Sequence, residues 1–457
     1  MLIRFVVNNL YSFGHEVEFN MMPNSRLRTL EHHKYRQNGI NLLKMASIYG
    51  ANGAGKSNLI FALYLMQMMV LREGVPKRIT DNTFKLNSTA ENLQTLAIEF
   101  IQDETAFYYG IEISGNVIVT EELYESGLGE KPDLLIFERK TDKNDMTSIN
   151  FLPAFEDDTE GALLKGILLE EFVKPNKPIL KLIANRNNKH LNSAKNAFKW
   201  FADTLQVVTP EAKPIALANR ISNDEFFKSY AEEMLCALDV GICSLHSETK
   251  KLSELLGEEN SDLLEQITQK LEDNPEGLFS FRHSRDEEIV AAKENGELVG
   301  KRLQIGHKGS NDELVLFDLK NESDGTKRLL DYVPAFQDVI TAGRVYVVDE
   351  IERSIHPLLI KELIKHFSQN TQTNGQLIFS THESNLLDQE LFRQDEIWFV
   401  EKNRDGATEL YPLSDYKEHK TIDIRKGYLN GRYGSIPFLA NIQDLNWNKN
   451  DFDKSDI

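Results

Sequence analysis

The chain has 457 residues and a formal net charge of −19, which argues against nucleic-acid binding over its whole surface, because contacts to a phosphate backbone need clustered Lys and Arg. Its hydrophobic content of 41% is ordinary for a globular protein, and no apolar run approaches the roughly 20 residues that span a membrane. The two cysteines, Cys236 and Cys243, lie in one predicted helical region and could share a face as buried thiols. A disulfide framework is therefore not expected, and a cytoplasmic location is favoured.

The first 155 residues predict a β-rich lobe that contains one helix. Alternating apolar residues predict two strands within 2–20, and period-two stretches predict more strands over 95–102, 106–114, 116–124 and 134–139. An apolar strand over 44–49 leads into a glycine-rich turn, and a helix over 57–72 follows that turn. We expect this lobe to occupy residues 1–155.

The glycine-rich turn carries the most specific motif of the chain. Residues 50–57 read Gly-Ala-Asn-Gly-Ala-Gly-Lys-Ser, the phosphate-loop pattern G-x-x-x-x-G-K-S between a strand and a helix. Glycines let successive N–H groups converge on phosphate oxygens, and the helix start adds the positive end of its dipole. Lys56 supplies a charge for the β/γ-phosphates, and Ser57 supplies a hydroxyl ligand for Mg²⁺. The cofactors predicted are ATP and Mg²⁺, and the nucleotide-binding residues are Gly50, Asn52, Gly53, Ala54, Gly55, Lys56, Ser57 and Asn58.

Residues 156–300 predict a largely helical insertion between two lobes of one core. Helical spacing runs over 163–172, 193–204, 224–238 and 262–271, with prolines between these segments. Sustained heptads are absent, so a long coiled coil is not predicted. We expect the insertion to carry oligomer or partner contacts, because the core itself needs none of it.

The second lobe, residues 301–441, alternates predicted strands and helices. Helices are predicted over 326–340 and 357–367, and strands over 344–348, 376–380 and 397–401. This alternation indicates an α/β fold with a parallel-sheet core. The Asn/Asp/Lys-rich residues 442–457 predict a flexible tail.

Polar residues follow two strands of this lobe. An apolar strand over 345–348 ends in Asp349 and Glu350, where the aspartate would join Ser57 in holding Mg²⁺ and the glutamate would orient an attacking water. His382 follows the strand over 376–380 and would contact the γ-phosphate. The catalytic residues predicted are therefore Glu350, His382 and Lys56.

A second polar turn precedes the helix over 326–340. Ser323, Asp324, Gly325 and Thr326 form a turn whose amides and hydroxyl could bind phosphate. One chain needs only one cradle for the γ-phosphate. The second turn therefore predicts contact with ATP that another subunit holds.

The order phosphate loop, Ser-Asp-Gly-Thr turn, Asp349-Glu350 and Thr381-His382 resembles that of ABC-type ATPase heads of the OLD-like group, often filed under AAA domains. The same resemblance is carried by the segments 8–13, 349–357, 376–382, 395–402 and 428–437. It implies an ABC-type head that forms head-to-tail dimers, with each ATP between the phosphate loop of one subunit and Ser323–Thr326 of the other. Within the group, the chain is similar to the AriA-type ATPase subunits of the PARIS anti-phage defence systems.

The resemblance also implies partners. In OLD nucleases a Toprim domain follows the ATPase, whereas this chain extends only 20 residues beyond Pro437 (457 − 437). We therefore expect a Toprim-type, AriB-like nuclease effector to be supplied in trans. A homo-oligomer of this chain would hold that effector and release it when a phage-encoded trigger protein is sensed.

Alternative functions remain open from the sequence. One is the ATPase of another defence pair, of the Septu type, with an HNH nuclease partner. Another is a DNA-repair or SMC-like head that binds DNA directly, which the charge and the absence of long coiled-coil arms disfavour. A scaffold that needs no ATP would tolerate loss of Lys56.

Overall fold

The computed structural model describes residues 1–86, 93–214, 216–257, 260–284, 287–416 and 422–435. The predicted tail, residues 442–457, and the end of the motif over 428–437 lie outside these residues. In the described part of the chain, no helix is both long enough and apolar enough to cross a membrane.

The strands and helices occur largely in runs, and they alternate mainly over residues 324–380. The strands are β1 Leu2–Asn8, β2 Val17–Asn20, β3 Lys34–Gln37, β4 Ile40–Leu43, β5 Met45–Gly50, β6 Leu93–Gln102, β7 Thr105–Ser114, β8 Val117–Glu125, β9 Leu134–Thr141, β10 Thr147–Phe151, β11 Leu205–Val208, β12 Ile242–Lys251, β13 Phe279–Ser284, β14 Glu287–Glu294, β15 Glu297–Lys308, β16 Leu314–Asp318, β17 Val345–Val348, β18 Gln376–Ser380, β19 Ile397–Lys402 and β20 Thr408–Pro412. The helices are α1 Lys56–Arg72, α2 Pro153–Glu156, α3 Thr159–Ile167, α4 Leu180–Ala184, α5 Asn192–Lys199, α6 Leu217–Asn223, α7 Glu225–Ala237, α8 Leu252–Leu256, α9 Ser261–Asp273, α10 Asp324–Thr341, α11 Pro357–Gln369 and α12 Ile424–Leu429.

Two sheets enclose the phosphate-loop helix. An antiparallel sheet runs in the order β10-β9-β8-β7-β6-β1-β2, and the core sheet runs β11-β17-β18-β5-β19-β20. All neighbours in the core sheet are parallel except β19 and β20. This arrangement confirms the α/β prediction of an N-terminal β-lobe on a parallel-sheet core.

Alternate residues of the core strands enter two different hydrophobic clusters. Ala46 and Ile48 of β5 belong to the cluster that includes α1 and the antiparallel sheet, whereas Met45 and Tyr49 belong to the cluster that includes α10 and α11. Strand side chains point alternately to opposite faces of a sheet, so β5 is buried on both faces. Its carboxyl end, where the phosphate loop begins, is thereby held by packing on both sides.

Residues 156–300, which we expected to be largely helical, contain strands as well as the helices α3 to α9. Strand β11, which lies within this segment, pairs in parallel with β17 at the end of the core sheet, and the carbonyl of Val208 accepts a hydrogen bond of 2.9 Å from the amide of Asp349. The core therefore does use the insertion. The division into residues 1–155, 156–300 and 301–441 stays a prediction.

A third sheet runs in the order β12-β15-β14-β13, with β16 also paired to β15. Strand β12 was missed, and β15 continues across the predicted boundary between residues 300 and 301. Cys243 lies on β12 and Cys236 is exposed on α7, so the expectation that both thiols share a buried helical face was wrong.

Candidate functional site

The phosphate loop connects the buried strand β5 to the start of α1. Gly53 and Gly55 have φ values of 77° and 121°, in the region that side chains disfavour. A Cβ at Gly55 would collide with the hydroxyl of Thr408, and a Cβ at Gly50 would collide with the carbonyl of Val400. The loop therefore needs glycine at these positions in order to curl in front of the N-terminus of α1.

The side chain of Lys56 folds back over this loop. Its Nζ donates to the carbonyls of Gly50 at 2.8 Å and Ala51 at 3.2 Å, and it lies 3.5 Å from Nδ1 of His382. Burial lowers the pKa of Lys56 to about 8, although the nearby carboxylates of Asp349, Glu352 and Glu350 raise it in part. The ammonium is thus poorly solvated and placed beside the anion-binding amides.

Two hydroxyls converge on the carboxylate of Asp349, which is 1% exposed at the end of β17. Ser57 donates to its Oδ1 at 3.1 Å, and Ser380 donates to the same oxygen at 2.5 Å. Such oxygen ligands suit Mg²⁺. Among the described residues, no group of three or more His, Cys, Asp or Glu side chains could hold a metal ion, so phosphate and water oxygens would complete the coordination.

Glu350 adopts a left-handed conformation with φ of 52°. That conformation costs about 1–2 kcal/mol for a residue with a side chain, and such outliers concentrate at functional sites. The amide of Glu350 donates to the hydroxyl of Ser380 at 2.8 Å, which offsets part of the cost. Glu350 directly follows Asp349 at the end of β17.

His382 is exposed at the carboxyl end of β18. Its amide donates to Oε1 of Glu352 at 2.6 Å. Partial burial and the charge of Lys56 lower the pKa of His382, which favours the neutral imidazole in the free protein. A neutral imidazole can donate one hydrogen bond to a phosphate oxygen.

The Ser-Asp-Gly-Thr turn begins α10. Ser323 is the N-cap: its Oγ accepts from the amide of Thr326 at 3.1 Å, and the two hydroxyls lie 2.9 Å apart. Ser323 and Asp324 are exposed. A Cβ at Gly325 would lie 2.7 Å from the carbonyl of Ser354, so glycine lets the loop after Glu350 approach this turn.

The structure brings Lys56, Ser57, Asp349, Glu350 and His382 together at the carboxyl ends of β5, β17 and β18. The Ser-Asp-Gly-Thr turn, which we call the signature turn, is not joined to them: among the described residues, no hydrogen bond or ion pair links Ser323–Thr326 to Gly50–Asn58. The roles of all these residues stay predictions.

The sequence analysis did not identify Thr408 and Ser12, which hold the phosphate loop in place, or Ser380, which binds Asp349. The hydroxyl of Thr408 lies 2.7 Å from Ser12 Oγ and donates to the carbonyl of Ala54 at 2.8 Å, and Asn58 donates to Ser12 at 2.8 Å. Ser380 could have been found, since it ends a strand beside His382. Neither Thr408 nor Ser12 carries such a signal, because each reaches the loop only through tertiary packing.

Comparison with known proteins gives one family match. A family model described as "AAA domain, putative AbiEii toxin, Type IV TA system" matches residues 45–388, well over half of the chain. That span includes every predicted site residue. No curated protein shows a significant match.

Three solved structures are distantly similar. The SMC head bound to the C-terminal winged-helix domain of ScpA is 12% identical with a TM-score of 0.42, over 90% of this chain and 97% of that one. The SMC head domain from Thermotoga maritima is 12% identical with a TM-score of 0.38, over 90% and 98%. The SMC head from Pyrococcus furiosus, with an extended coiled coil and bound to the C-terminal domain of ScpA, is 14% identical with a TM-score of 0.40, over 94% and 98%. Likenesses of this extent do not bear on function.

Proposed function

This chain belongs to the family described as "AAA domain, putative AbiEii toxin, Type IV TA system", and we propose that it is an ABC-type ATPase that binds and hydrolyses Mg-ATP. The observation that carries the proposal is the hydrogen bond that Ser57 donates to Asp349, at the N-terminal end of the helix that begins with Lys56. It joins the phosphate loop to the acidic end of β17.

Each residue has a role in this proposal. The loop amides and Lys56 bind the phosphates, and the oxygens of Ser57 and Asp349 hold Mg²⁺. The bound metal would neutralise phosphate charge. Glu350 orients the attacking water and accepts its proton, and the neutral imidazole of His382 donates to the γ-phosphate. Fixed groups of this kind favour the charge that develops during phosphoryl transfer.

Steady-state hydrolysis and ATP binding test the proposal. Wild-type protein should hydrolyse ATP in the presence of Mg²⁺, and Lys56→Ala should weaken ATP binding and reduce turnover by about 100-fold or more. Lys44→Ala is the matched control, because Lys44 is also buried, at 4% exposure, and donates to a backbone carbonyl. Equal activity in wild type and Lys56→Ala would contradict the proposal and favour a scaffold that needs no nucleotide.

We further propose that the ATP site is completed by a second copy of the chain, in a homo-oligomer of head-to-tail dimers. The turn Ser323–Thr326 supports this, because it forms the N-terminus of α10, which suits an anion, and its residues Ser323 and Asp324 are exposed. Strand β16, which is separated from that turn by residues 319–322, exposes four consecutive apolar side chains, Leu314 to Phe317, by 37–49%. Contiguous exposed apolar residues commonly mark an interface.

At the level of the cell, we propose an ATP-dependent sensor and scaffold of a bacterial anti-phage, abortive-infection system. The oligomer would hold a Toprim-type nuclease effector encoded in trans and release it on sensing a phage protein. The family description, which names a toxin of a toxin–antitoxin system, supports a role in a multi-component system of this kind. The segment order that resembles AriA-type subunits supports the Toprim partner.

Purification of the native complex, with its mass measured with and without ATP, tests this role. A co-purifying Toprim protein that dissociates when a phage trigger is added would support it. An HNH nuclease in its place would replace it by a Septu-like pair. Salt-sensitive DNA binding with DNA-stimulated hydrolysis, and no effector, would instead identify a DNA-repair or SMC-like head.

A further inference from the structure

Glu352 lies two residues after Glu350 and has no role in the function proposed above. The residue is partly buried, and its Oε1 accepts a hydrogen bond of 2.6 Å from the amide of His382. Its second oxygen, Oε2, is buried and has no hydrogen-bond partner among the residues that the structure describes. A buried carboxylate oxygen without a partner is costly, which indicates that something other than stability keeps this group here.

The bond from Glu352 is one of four that join the loop after β17 to the end of β18, and another is the bond that Ser380 donates to Asp349. The amide of Glu350 donates to the hydroxyl of Ser380 at 2.8 Å, and the amide of Ile351 donates to the carbonyl of Ser380 at 3.1 Å. The bonds at Ser380 fix the end of strand β18. Only the Glu352 bond reaches the residue that carries the imidazole.

The position of that imidazole matters because its Nδ1 lies 3.5 Å from Nζ of Lys56. A backbone amide bound to an ionised carboxylate makes a shorter and stronger hydrogen bond than one bound to a neutral acceptor. Without the bond to Glu352, the exposed backbone at His382 would have to be held by its neighbour Thr381. The hydroxyl of Thr381, however, accepts a hydrogen bond from the amide of Glu383. Glu352 is therefore the group best placed to set where the histidine stands.

We propose that Glu352 is a positioning residue that holds His382 against Lys56, so that the imidazole meets the γ-phosphate. This inference rests on the proposed ATPase function. Its role differs from that of Glu350, because Glu352 acts through the histidine and does not touch the attacking water. Since Glu352 also lies in the loop that continues to Ser354, beside Gly325 of the signature turn, it links phosphate contact to the surface that faces a second subunit.

The kinetic test compares Glu352→Ala with Glu352→Gln. Loss of the carboxylate should reduce kcat at least about tenfold while KM for ATP changes by less than about threefold, since the loss falls on the transition state. Glu352→Gln should rescue most of that loss, because the amide oxygen can accept the same bond. The matched control is Glu383→Ala, which removes a carboxylate one residue past His382 that binds the amide of Asn385.

A cycle with His382→Ala separates positioning from direct catalysis. If Glu352 acts through the histidine, Glu352→Ala should have little further effect on kcat in the His382→Ala background. If the losses of kcat in Glu352→Ala and His382→Ala multiply in the double variant, the proposal is overturned. An equal loss of kcat in Glu352→Gln and Glu352→Ala would also overturn it.

The ring resonances of His382, assigned by comparison with His382→Ala, give a readout that needs no turnover. They should shift in Glu352→Ala but not in Glu383→Ala, and unchanged resonances in Glu352→Ala would overturn the positioning role. Absence of hydrolysis by the wild-type protein would instead count against the proposed ATPase function, and the resonances would still decide the role of Glu352.

Discussion

A single conservative substitution tests the proposed role of Glu350 as the base that accepts a proton from water. Glu350→Gln keeps the size of the side chain and the backbone bond to Ser380, but the amide cannot accept a proton from water. We expect hydrolysis to fall by about 100-fold or more, while ATP still binds and accumulates in a closed assembly. Single-turnover hydrolysis and size-exclusion chromatography with ATP measure both effects. Unchanged turnover in this variant would remove Glu350 from the role of base.

The pKa of Lys56 makes ATP binding depend on pH. Burial lowers this pKa to about 8 in the free protein, and phosphate oxygens beside the ammonium would raise it again. Above pH 8 the free lysine loses its proton and the complex regains it, so binding takes up a proton and affinity falls as pH rises. Calorimetry at pH 8.5 in two buffers of different ionisation enthalpy should show uptake of more than about half a proton.

Lys56→Arg is the control for this prediction, because a guanidinium keeps its charge throughout the range. The arginine variant should bind ATP without proton uptake near pH 8.5. The same uptake in both proteins would assign the proton to another group.

At the scale of elements, the phosphate loop depends on contacts from the turn between β1 and β2 and from strand β20. Thr408 is fully buried, and its hydroxyl bridges Ser12 and the carbonyl of Ala54. Thr408→Val leaves those groups without this partner, at a cost of about 1–3 kcal/mol. We expect a lower Tm and weaker ATP binding, measured by calorimetry. Thr249→Val, at an exposed position on β12, should change neither, and equal effects of the two would argue against the bridge.

How much of the fold could be predicted differs between central and peripheral elements. Strands β5, β17 and β18 are buried along their whole length, so continuous apolar runs identify them. Strand β11 is only four residues long and follows a helical segment, so its membership of the core sheet depends on pairing with β17, far along the chain. Strand β12 is partly exposed and rich in charge toward its end, which resembles a solvated helix as much as a strand.

The residues of the candidate site also differ in whether the sequence could predict them. Residues that lie inside a motif, such as Lys56 and Asp349, could be predicted because one short pattern sets both their type and their place at a strand end. Glu352 and Thr408 act through the backbone of distant segments, at the amide of His382 and the carbonyl of Ala54. Such contacts depend on how loops approach each other after the sheets have packed.

At the scale of the whole molecule, the proposal of an ATP site shared between two subunits rests on two separate features of one chain. The phosphate loop lies at the ends of the parallel strands, whereas the signature turn begins α10 and packs its glycine beside Ser354. Contacts from a partner to the γ-phosphate would give the closed dimer its differential affinity for ATP. Hydrolysis would remove those contacts and reopen the assembly, so that nucleotide state controls association.

Composite sites predict that two inactive variants complement each other when mixed. Lys56→Ala disables the phosphate loop, and Ser323→Arg places a bulky side chain at the signature turn, so neither should hydrolyse ATP alone. A mixed dimer contains one site with both defects and one with neither. At equal concentrations about half of the randomly paired dimers are mixed and each carries one intact site, so about a quarter of wild-type activity should return. A mixture with no more activity than its components would place the whole ATP site within one chain.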